Sequence, residues 1–428
     1  MHKRSIAIVF TTSVLLAVLC YLYGLWLFYA PPTDWMTAVT VSLCAIPIAW
    51  AVVRLIPHLL SFLSGEDEPH LAQSGARTYR RCGTRELFKL VLLVMALRLI
   101  EMAVGYLIHF HVYGYTDTFF QVQKMWLSNG ALLFGRARGF YMQVLLWMFC
   151  YFSGACAAAA LYYLILVDFN RSTARRAVRY LFFLPAACML MKTSMQPVFL
   201  LCSVLCLLFM RKRYFPIANL FAMLAAIAHP FGCLLFVPIC VEFVQVLIAN
   251  AHAHKEMGKG YVGKQVGNGI SFLLIPAGVG IVLLYSLLRY GDFTHIYAAY
   301  GYALSNPFTT VATFLHRFVA SPFALGGFLA NVLFPLLYLF GVAAVTVLAV
   351  GRIRTSYVLY LLLFFLAALC TGDLCKLPGL LTMCAVLPVT MASLTKRRWV
   401  DVLLLIGCGV LWFVYLGLFI SGTMGTPL

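Results

Sequence analysis

The sequence predicts an all-α fold: a polytopic transmembrane helical bundle that forms a single integral-membrane domain over residues 1–428. Of these residues, 63% are hydrophobic and 10% are charged, and the mean hydropathy is +0.95, values that exclude an ordinary soluble domain. Apolar runs of about 20 residues, the length that a helix needs to cross a bilayer, recur from Ser5 almost to the carboxyl terminus. No gap between them is long enough for a soluble domain.

The apolar runs predict about thirteen helices, which we interpret as about 11–13 spans. They are expected at 5–29, 35–63, 87–112, 139–167, 178–193, 197–210, 214–228, 231–250, 267–289, 329–350, 356–371, 377–394 and 399–421. The first run is too long for the core of a signal peptide and has no small-residue cleavage site before Pro31, so we interpret it as a retained helix. The segments 197–210 and 214–228 are short for a crossing and are expected to depend on neighbouring helices.

Basic residues orient the predicted bundle, because loops that carry Lys or Arg stay on the cytoplasmic side. Of the 31 Lys and Arg residues, 22 fall in alternate connections, 7 fall in the other set, and Arg54 and Arg98 lie within predicted spans. The amino terminus is therefore expected to be cytoplasmic. These clusters at helix ends account for the formal charge of +18, so the charge predicts no nucleic-acid partner.

Two loops on the predicted non-cytoplasmic face are expected to form an active-site face, at about 111–138 and 290–327. The first carries Asp117 ahead of an amphipathic stretch that fits a helix lying in the membrane interface. The second is rich in aromatic residues, including Tyr297 and Tyr300. Such rings either anchor a loop at the headgroups or form a platform for sugar or lipid. Amphipathic helices are expected in the outer loops.

Few acids lie on that face, so each is informative. Asp34 immediately precedes the second helix and is expected to cap it. Asp117 either caps the amphipathic stretch or deprotonates an acceptor hydroxyl at the membrane surface, since the nearest following base is Lys124. Asp292 closes a turn after a glycine, where capping of a short helix is expected. Asp373 lies near the end of a late span.

Cations on the same face offer charge to a lipid phosphate or pyrophosphate leaving group. Lys192 lies between two hydrophobic spans, His229 precedes Pro230, and Arg317 lies in the second loop. For Lys192 and Arg317, snorkelling to the headgroups is the alternative. Both interpretations stay open.

Two charges lie inside the third predicted helix. Arg98 and Glu101 are three residues apart, close enough to pair on one helix face. Charges at that depth are costly unless they are paired, so we expect a structural ion pair, with a direct catalytic role as the alternative. Glu242 has no partner nearby in the sequence and is expected to bond within the bundle.

Motifs for several chemistries are absent from the sequence. It contains no Gly-rich phosphate loop, no His-Glu-x-x-His, no Gly-x-Ser-x-Gly and no paired acidic metal motif. Nucleotide hydrolysis and metalloprotease chemistry therefore have no support in the sequence, and no metal and no cofactor are expected. The 14 Cys are scattered through apolar segments and predict no disulfide framework. Cys370 and Cys375 flank Asp373, but this spacing is weak evidence for a bridge or a metal site.

Three stretches carry a resemblance to a known family. The first is Asp117 with its amphipathic stretch, the second is 196–242 with its basic turn and His229 before a Pro, and the third is Leu-Arg-Tyr-Gly-Asp-Phe at 288–293. Together they resemble the multi-spanning glycosyltransferases of the GT-C class. Within that class they are similar to the second mannosyltransferase of GPI-anchor assembly (the PIG-V family) and its prokaryotic relatives.

The resemblance implies transfer, with inversion, of a mannose-like sugar from a polyprenyl-phosphate donor to a lipid or glycan acceptor on the non-cytoplasmic face. The roles it implies are Asp117 as general base, Lys192, His229 and Arg317 on the donor phosphate, and Asp292, His295, Tyr297 and Tyr300 on the substrate. The donor brings its own charged leaving group, so the chemistry requires no metal. The location implied is the plasma membrane in a prokaryote or the endoplasmic reticulum membrane in a eukaryote.

A transporter or flippase for a lipid or small solute is the alternative, and a non-catalytic membrane scaffold is the third. Acids along a central path would favour transport, whereas acids at the outer surface favour surface chemistry. Asp117, Asp292 and Asp373 are predicted outside, and only Glu101 and Glu242 are deep. The sequence therefore favours the enzyme.

Overall fold

A computed structural model describes residues 84–113, 140–191, 194–253, 259–293, 295–296, 305–320 and 325–420, and in these ranges the chain is helical without strands. The α-helices are α1 (Thr84–Tyr113), α2 (Phe140–Asp168), α3 (Arg171–Phe183), α4 (Gln196–Arg211), α5 (Phe215–Ala228), α6 (Phe236–Ala253), α7 (Lys259–Ile270), α8 (Leu274–Tyr290), α9 (Pro307–Ala320), α10 (Leu325–Phe328), α11 (Phe334–Ala349), α12 (Thr355–Leu369), α13 (Leu377–Thr382), α14 (Val386–Leu394) and α15 (Arg398–Ile420). Short 3-10 helices lie at Ala187–Met191, Pro230–Leu235, Ser271–Leu273 and Leu374–Lys376, and a π-helical turn at Leu329–Leu333 joins α10 to α11.

Within the described ranges, five helical segments are long and apolar enough to cross a membrane, and a sixth is added if α13 and α14 form one bent span. The five are Trp147–Asp168, Pro230–Ile248, Gln265–Leu288, Leu329–Ala349 and Arg398–Phe419. The predicted class, an all-α bundle of membrane-crossing length, is confirmed at this level. The predicted spans 5–29 and 35–63 lie outside the described residues, so the total of about 11–13 spans stays a prediction.

The predicted span at 178–193 is wrong. In its place α3 begins at Arg171 and ends before Pro185. The Asn170 side chain sets the start, because its Oδ1 accepts the Thr173 N–H at 2.9 Å and satisfies one of the free donors at the helix end. One face of α3 is buried and the other carries arginines, so α3 is an amphipathic surface helix.

The predicted span at 377–394 is bent, since α13 and α14 meet at 80°. Pro388 explains the break, because it has no N–H to donate to the Cys384 carbonyl in a continuous helix. Restarting the helix at Val386 puts Pro388 in the first turn, where the N–H groups have no helical partner in any case. The Cys384 carbonyl accepts the Leu387 N–H instead, at 3.1 Å.

Contacts between helices give their relative directions. Asn219, near the start of α5, donates from Nδ2 to Ser271 Oγ, just before α8, at 2.6 Å. Further along both helices, a Cβ built on Gly278 of α8 would lie 3.2 Å from the Met223 Cα of α5. The two helices therefore run side by side in the same direction. Phe199, near the start of α4, packs on Phe364, near the end of α12, with ring centroids 6.1 Å apart, so α4 and α12 run in opposite directions.

These directions define two ends of the bundle. We name the end that holds Asp168, Arg211 and Arg354 the inner end, and the end that holds Phe199 and His229 the outer end. Along α4, from Phe199 to Arg211, the two ends are about 18 Å apart at about 1.5 Å per residue. The positive-inside rule predicts that the inner end faces the cytoplasm, because the basic connections after α2, α4 and α11 meet there.

Close packing fixes the turn at the outer end of α5. A Cβ built on Gly232 would lie 2.2 Å from the Ala226 nitrogen and 2.4 Å from the Ala225 carbonyl carbon, both backbone atoms. Gly232→Ala is therefore expected to destabilise the protein by about 1–3 kcal/mol, measured as a lower midpoint of thermal unfolding in detergent. Gly280→Ala is the matched control, because nothing lies within 4 Å of its Cβ. Equal midpoints for the two variants would contradict the packing.

Candidate functional site

His229 lies at the junction between α5 and the following 3-10 helix, at the outer end. Its backbone is extended, and its Nδ1 accepts the Phe231 N–H at 3.3 Å. The side chain is 1% exposed and lies against the rings of Phe199 and Phe231, with centroids 5.4 and 5.1 Å away. His229 thus caps the 3-10 helix and packs between aromatic rings. A role on the donor phosphate stays a prediction.

The turn after α8 brings two of the predicted substrate residues together. Gly291 ends α8 with a positive φ of 75°, a conformation that favours glycine. The Ser286 hydroxyl donates to the Asp292 carbonyl at 2.6 Å and accepts the Ile296 N–H at 3.3 Å, so the turn is tied back to α8. Asp292 and His295 are both exposed there.

The His295 ring is held by its neighbour. It stacks on Tyr290 at 4.3 Å between centroids, with the ring planes 24° apart. The turn therefore carries an exposed aromatic pair and an exposed acid, Asp292, which supply a flat apolar face and a hydrogen-bond acceptor. That combination suits a sugar ring, which has both apolar C–H faces and hydroxyl donors.

Several predicted site residues fall where the structure gives no side-chain account. Asp117, Lys192, Tyr297 and Tyr300 lie outside the described residues. Arg317 belongs to α9, of which the backbone is described at that position. The roles predicted for these five residues remain predictions.

The second outer loop contains an amphipathic helix, as the sequence predicted. The Ser305 N–H donates to the Cys370 carbonyl at 3.0 Å, which places the start of α9 beside the outer end of α12. Asn306 caps α9 by accepting the Phe308 N–H on Oδ1 at 3.0 Å. One face of α9 is buried, and His316 lies on the exposed side.

Asp373 has a structural contact at the same end. Its Oδ1 accepts the Cys375 N–H at 3.0 Å and caps the 3-10 helix that precedes α13. Neither Cys370 nor Cys375 is in a disulfide, and the Cys375 thiol donates to the Asn331 carbonyl at 3.8 Å. Within the described residues, no group of three or more His, Cys, Asp or Glu side chains is arranged to hold a metal ion.

The largest group of buried charges lies at the inner end, and it joins four helices. Arg211 of α4 donates to Asp168 of α2 through Nε and Nη2, at 3.0 and 2.8 Å, and to Glu242 of α6 through Nη1 at 2.9 Å. Arg354, just before α12, donates to Asp168 at 3.1 Å. The hydroxyls of Tyr357 and Ser356 donate to Asp168 and Glu242, each at 2.7 Å. We name these six residues the inner ion network.

The inner ion network is balanced and nearly dry. Two carboxylates face two guanidinium groups, and the Asp168 side chain is 2% exposed. Buried charges are tolerated only when each is paired with an opposite charge and hydrogen-bonded. Both carboxylates and both guanidinium groups of the network meet this condition. The network therefore fixes four helices to one another. Sequence reasoning expected Glu242 to bond within the bundle, which is confirmed, but it missed the other members.

A second inner cluster fixes α3 to α15. Arg179 Nη2 lies 3.0 Å from Asp401 Oδ2, and the Tyr180 hydroxyl donates to Asp401 Oδ1 at 2.7 Å. Burial, with added contributions from Asp401, raises the pKa of the Tyr180 hydroxyl, so it stays a neutral donor. Arg176 also donates to the Thr395 carbonyl.

The ion pair expected between Arg98 and Glu101 is present. Arg98 Nη1 donates to Glu101 Oε2 at 2.5 Å and to the Ala187 carbonyl at 3.2 Å. Trp412 Nε1 donates to the other Glu101 oxygen at 3.1 Å, and the guanidinium lies 4.8 Å from the Phe182 ring. The pair thus links α1 to α3, to the 3-10 helix that follows it and to α15.

Replacing Arg98 alone is expected to lower the free energy of unfolding more than replacing both Arg98 and Glu101. Arg98→Met leaves the Glu101 carboxylate buried without its cation and should lower stability by about 3–5 kcal/mol. The double variant Arg98→Met, Glu101→Leu should recover most of that loss, because no charge stays buried. Thermal unfolding in detergent measures both, and a double variant as unstable as the single one would argue against this coupling.

Comparison with family models, with curated proteins and with solved structures gives no match to this chain.

Proposed function

We propose that the protein is a membrane glycosyltransferase of the GT-C type, related to the PIG-V family. It moves a sugar, with mannose as the expected one, from a polyprenyl-phosphate donor to a lipid or glycan acceptor on the non-cytoplasmic face. Asp117 serves as the general base in this proposal, and Lys192, His229 and Arg317 serve the donor phosphate.

The observation that supports this proposal most is the gathering of candidate segments at the outer end. Since α5 and α8 run in the same direction, the His229 junction and the Asp292 turn lie at the same end. Phe231 contacts Phe364 of α12 with ring centroids 5.0 Å apart, and the start of α9 contacts the end of α12. At this end the exposed Asp292 and His295 supply a carboxylate and an imidazole, and the buried His229 lies in the aromatic packing of the same end.

The buried acids of the described residues do not favour transport. In the described part of the chain the four buried acids are Glu101, Asp168, Glu242 and Asp401, and each is paired with an Arg. Coupled transporters keep intramembrane carboxylates that change partners or protonation during the cycle. A carboxylate that is paired with a buried arginine is suited to holding helices together and less suited to changing partners in a transport cycle.

A transporter is the second candidate, because one feature is typical of that class. The 80° break between α13 and α14 resembles the discontinuous helices that form substrate sites in transporters. Such sites need the broken backbone to line a cavity. Met383, Cys384 and Ala385 at the break are each 0% exposed, so the break is packed into the core and the enzyme remains the better proposal.

The proposed reaction is a single displacement. The acceptor hydroxyl oxygen attacks the anomeric carbon of the donor sugar while Asp117 takes the hydroxyl proton. The bond between that carbon and the phosphate oxygen breaks, and the polyprenyl phosphate leaves with the electron pair. Cations near the leaving oxygen stabilise the developing charge, an effect worth several kcal/mol in a site that excludes water.

Membranes that contain the protein test the proposal directly. They are incubated with radiolabelled polyprenyl-phosphate mannose and a lipid extract, next to membranes without the protein. We expect label to pass to an acceptor only when the protein is present, and no label to pass from a nucleotide sugar in the same assay. Transfer from the nucleotide sugar alone would contradict the proposed donor.

A further inference from the structure

A groove of about 810 Å³ lies between α1, the end of α2 and α3, away from the proposed active-site face. Its charged lining residues are Glu86, Lys89, Arg171, Arg175 and Arg179. It lies at the inner end, because Arg171 at the start of α3 comes three residues after Asp168 of the inner ion network. Arg171 also pairs with Glu86 of α1. We name it the basic groove.

Charge in the basic groove is unbalanced. Four cations and one acid line it. Arg171 is paired with Glu86, and Arg179 is paired with Asp401. Lys89 and Arg175 are exposed and form no ion pair with any described residue. The groove therefore has two cations available for an anion.

The wall of the basic groove changes from charged to apolar along α1. Leu93 and Leu97 line it beyond Lys89, and both remain exposed, by 56% and 40%. From Lys89 to Leu97 the helix advances about 12 Å toward the middle of the bundle. Phe182 of α3 lines the opposite wall, and its ring also covers the guanidinium of Arg98.

We propose that the basic groove binds one anionic phospholipid of the cytoplasmic leaflet. The headgroup phosphate lies between Lys89 and Arg175, and an acyl chain follows Leu93, Leu97 and Phe182. Arginine matches phosphate geometry with paired N–H donors, and basic pockets on the cytoplasmic side suit acidic headgroups. An apolar wall that begins directly behind the cations fits a ligand that carries both a phosphate and a hydrocarbon chain.

Another cavity provides a comparison, because it has an apolar lining without the cations of the basic groove. It has a volume of about 490 Å³ and lies between α11, α14 and α15, with Leu337, Trp399 and Leu403 among its lining residues. No charged side chain lines it. It suits a hydrocarbon chain of any lipid, whereas the basic groove selects the headgroup by charge.

Native mass spectrometry of the full chain released from nanodiscs tests the proposal. The discs contain phosphatidylcholine with a minor fraction of phosphatidylglycerol. We expect one phosphatidylglycerol to stay bound, and Lys89→Gln with Arg175→Gln to weaken its retention by about 10- to 30-fold. The matched control, Lys396→Gln with Arg397→Gln, removes the same charge from exposed positions outside the groove lining and should leave retention unchanged. Equal losses in both double variants would overturn the proposal.

Two further arms separate the phospholipid from other occupants. Leu93→Asn should weaken phosphatidylglycerol retention without changing the unfolding midpoint, because Leu93 is exposed. Inorganic phosphate should not displace the lipid, and displacement by phosphate alone would show a simple anion site.

The acidic run Glu66-Asp67-Glu68 is the competing occupant from the chain itself. If neutralising that run in lipid-free detergent lowers the midpoint as much as Lys89→Gln with Arg175→Gln does, the groove holds this run and the proposal fails.

Discussion

Replacing Asp117 by Asn is expected to lower the rate of sugar transfer by about 10²- to 10⁴-fold, the usual contribution of a general base. Asn keeps the size and hydrogen-bonding reach of the side chain but cannot take the acceptor proton. The Michaelis constant for the donor should change little, since the carboxylate acts on the acceptor hydroxyl. Initial rates at several concentrations of polyprenyl-phosphate mannose measure both constants.

Asp34→Asn is the matched control for this variant. Asp34 is another acid of the predicted outer face, and its expected role is to cap the second helix. Its loss should affect stability by about 1 kcal/mol, with the transfer rate per folded molecule unchanged. Equal transfer by wild type and Asp117→Asn would remove Asp117 from the mechanism.

Arg211→Gln is expected to lower the free energy of unfolding by about 3–5 kcal/mol. The change leaves Glu242 with only the Ser356 hydroxyl and Asp168 with one guanidinium instead of two. Uncompensated buried charge is the reason for the size of the effect. A fall in the thermal unfolding midpoint of the protein in detergent measures it.

Arg213→Gln provides the control for Arg211→Gln, because it makes the same chemical change two residues away at an exposed position. A solvent-exposed cation contributes about 0–1 kcal/mol. If both variants lowered the midpoint equally, Arg211 would not be holding a buried network together.

Helix positions were largely predictable from the sequence. The predicted helices 139–167, 197–210 and 356–371 agree within one or two residues with α2, α4 and α12. Long apolar runs bounded by charged or turn-forming residues leave few alternative boundaries. The start of α3 and the bend before α14 were missed because each depends on one local hydrogen bond. At α3 the Thr173 N–H donates to the Asn170 side chain, and at the bend the Leu387 N–H donates to the Cys384 carbonyl because Pro388 has no N–H.

The inner ion network could not be derived in the same way. Asp168 bonds to Arg211, 43 residues away, and to Arg354, 186 residues away, and no local spacing predicts such partners. One signal was available: Asp168 is an acid at the end of a span on the side where basic residues collect. By contrast, the Arg98 and Glu101 pair follows from the helical repeat alone.

The structure gives side-chain contacts for only some of the predicted site residues. The aromatic-rich loop does contain an amphipathic helix, and Asp292 and His295 share one exposed turn. His229 is enclosed by Phe199 and Phe231, which its sequence neighbours did not indicate, because Phe199 comes from another helix.

The fate of the donor tests the central proposal most directly. Purified protein is reconstituted in liposomes with labelled polyprenyl-phosphate mannose and the lipid acceptor extract, and the reaction is stopped after a single turnover. A glycosyltransferase releases one free polyprenyl phosphate for each sugar that reaches the acceptor, and this equal yield is the expected result. Intact donor that has only moved to the other leaflet would contradict the enzyme and identify a flippase.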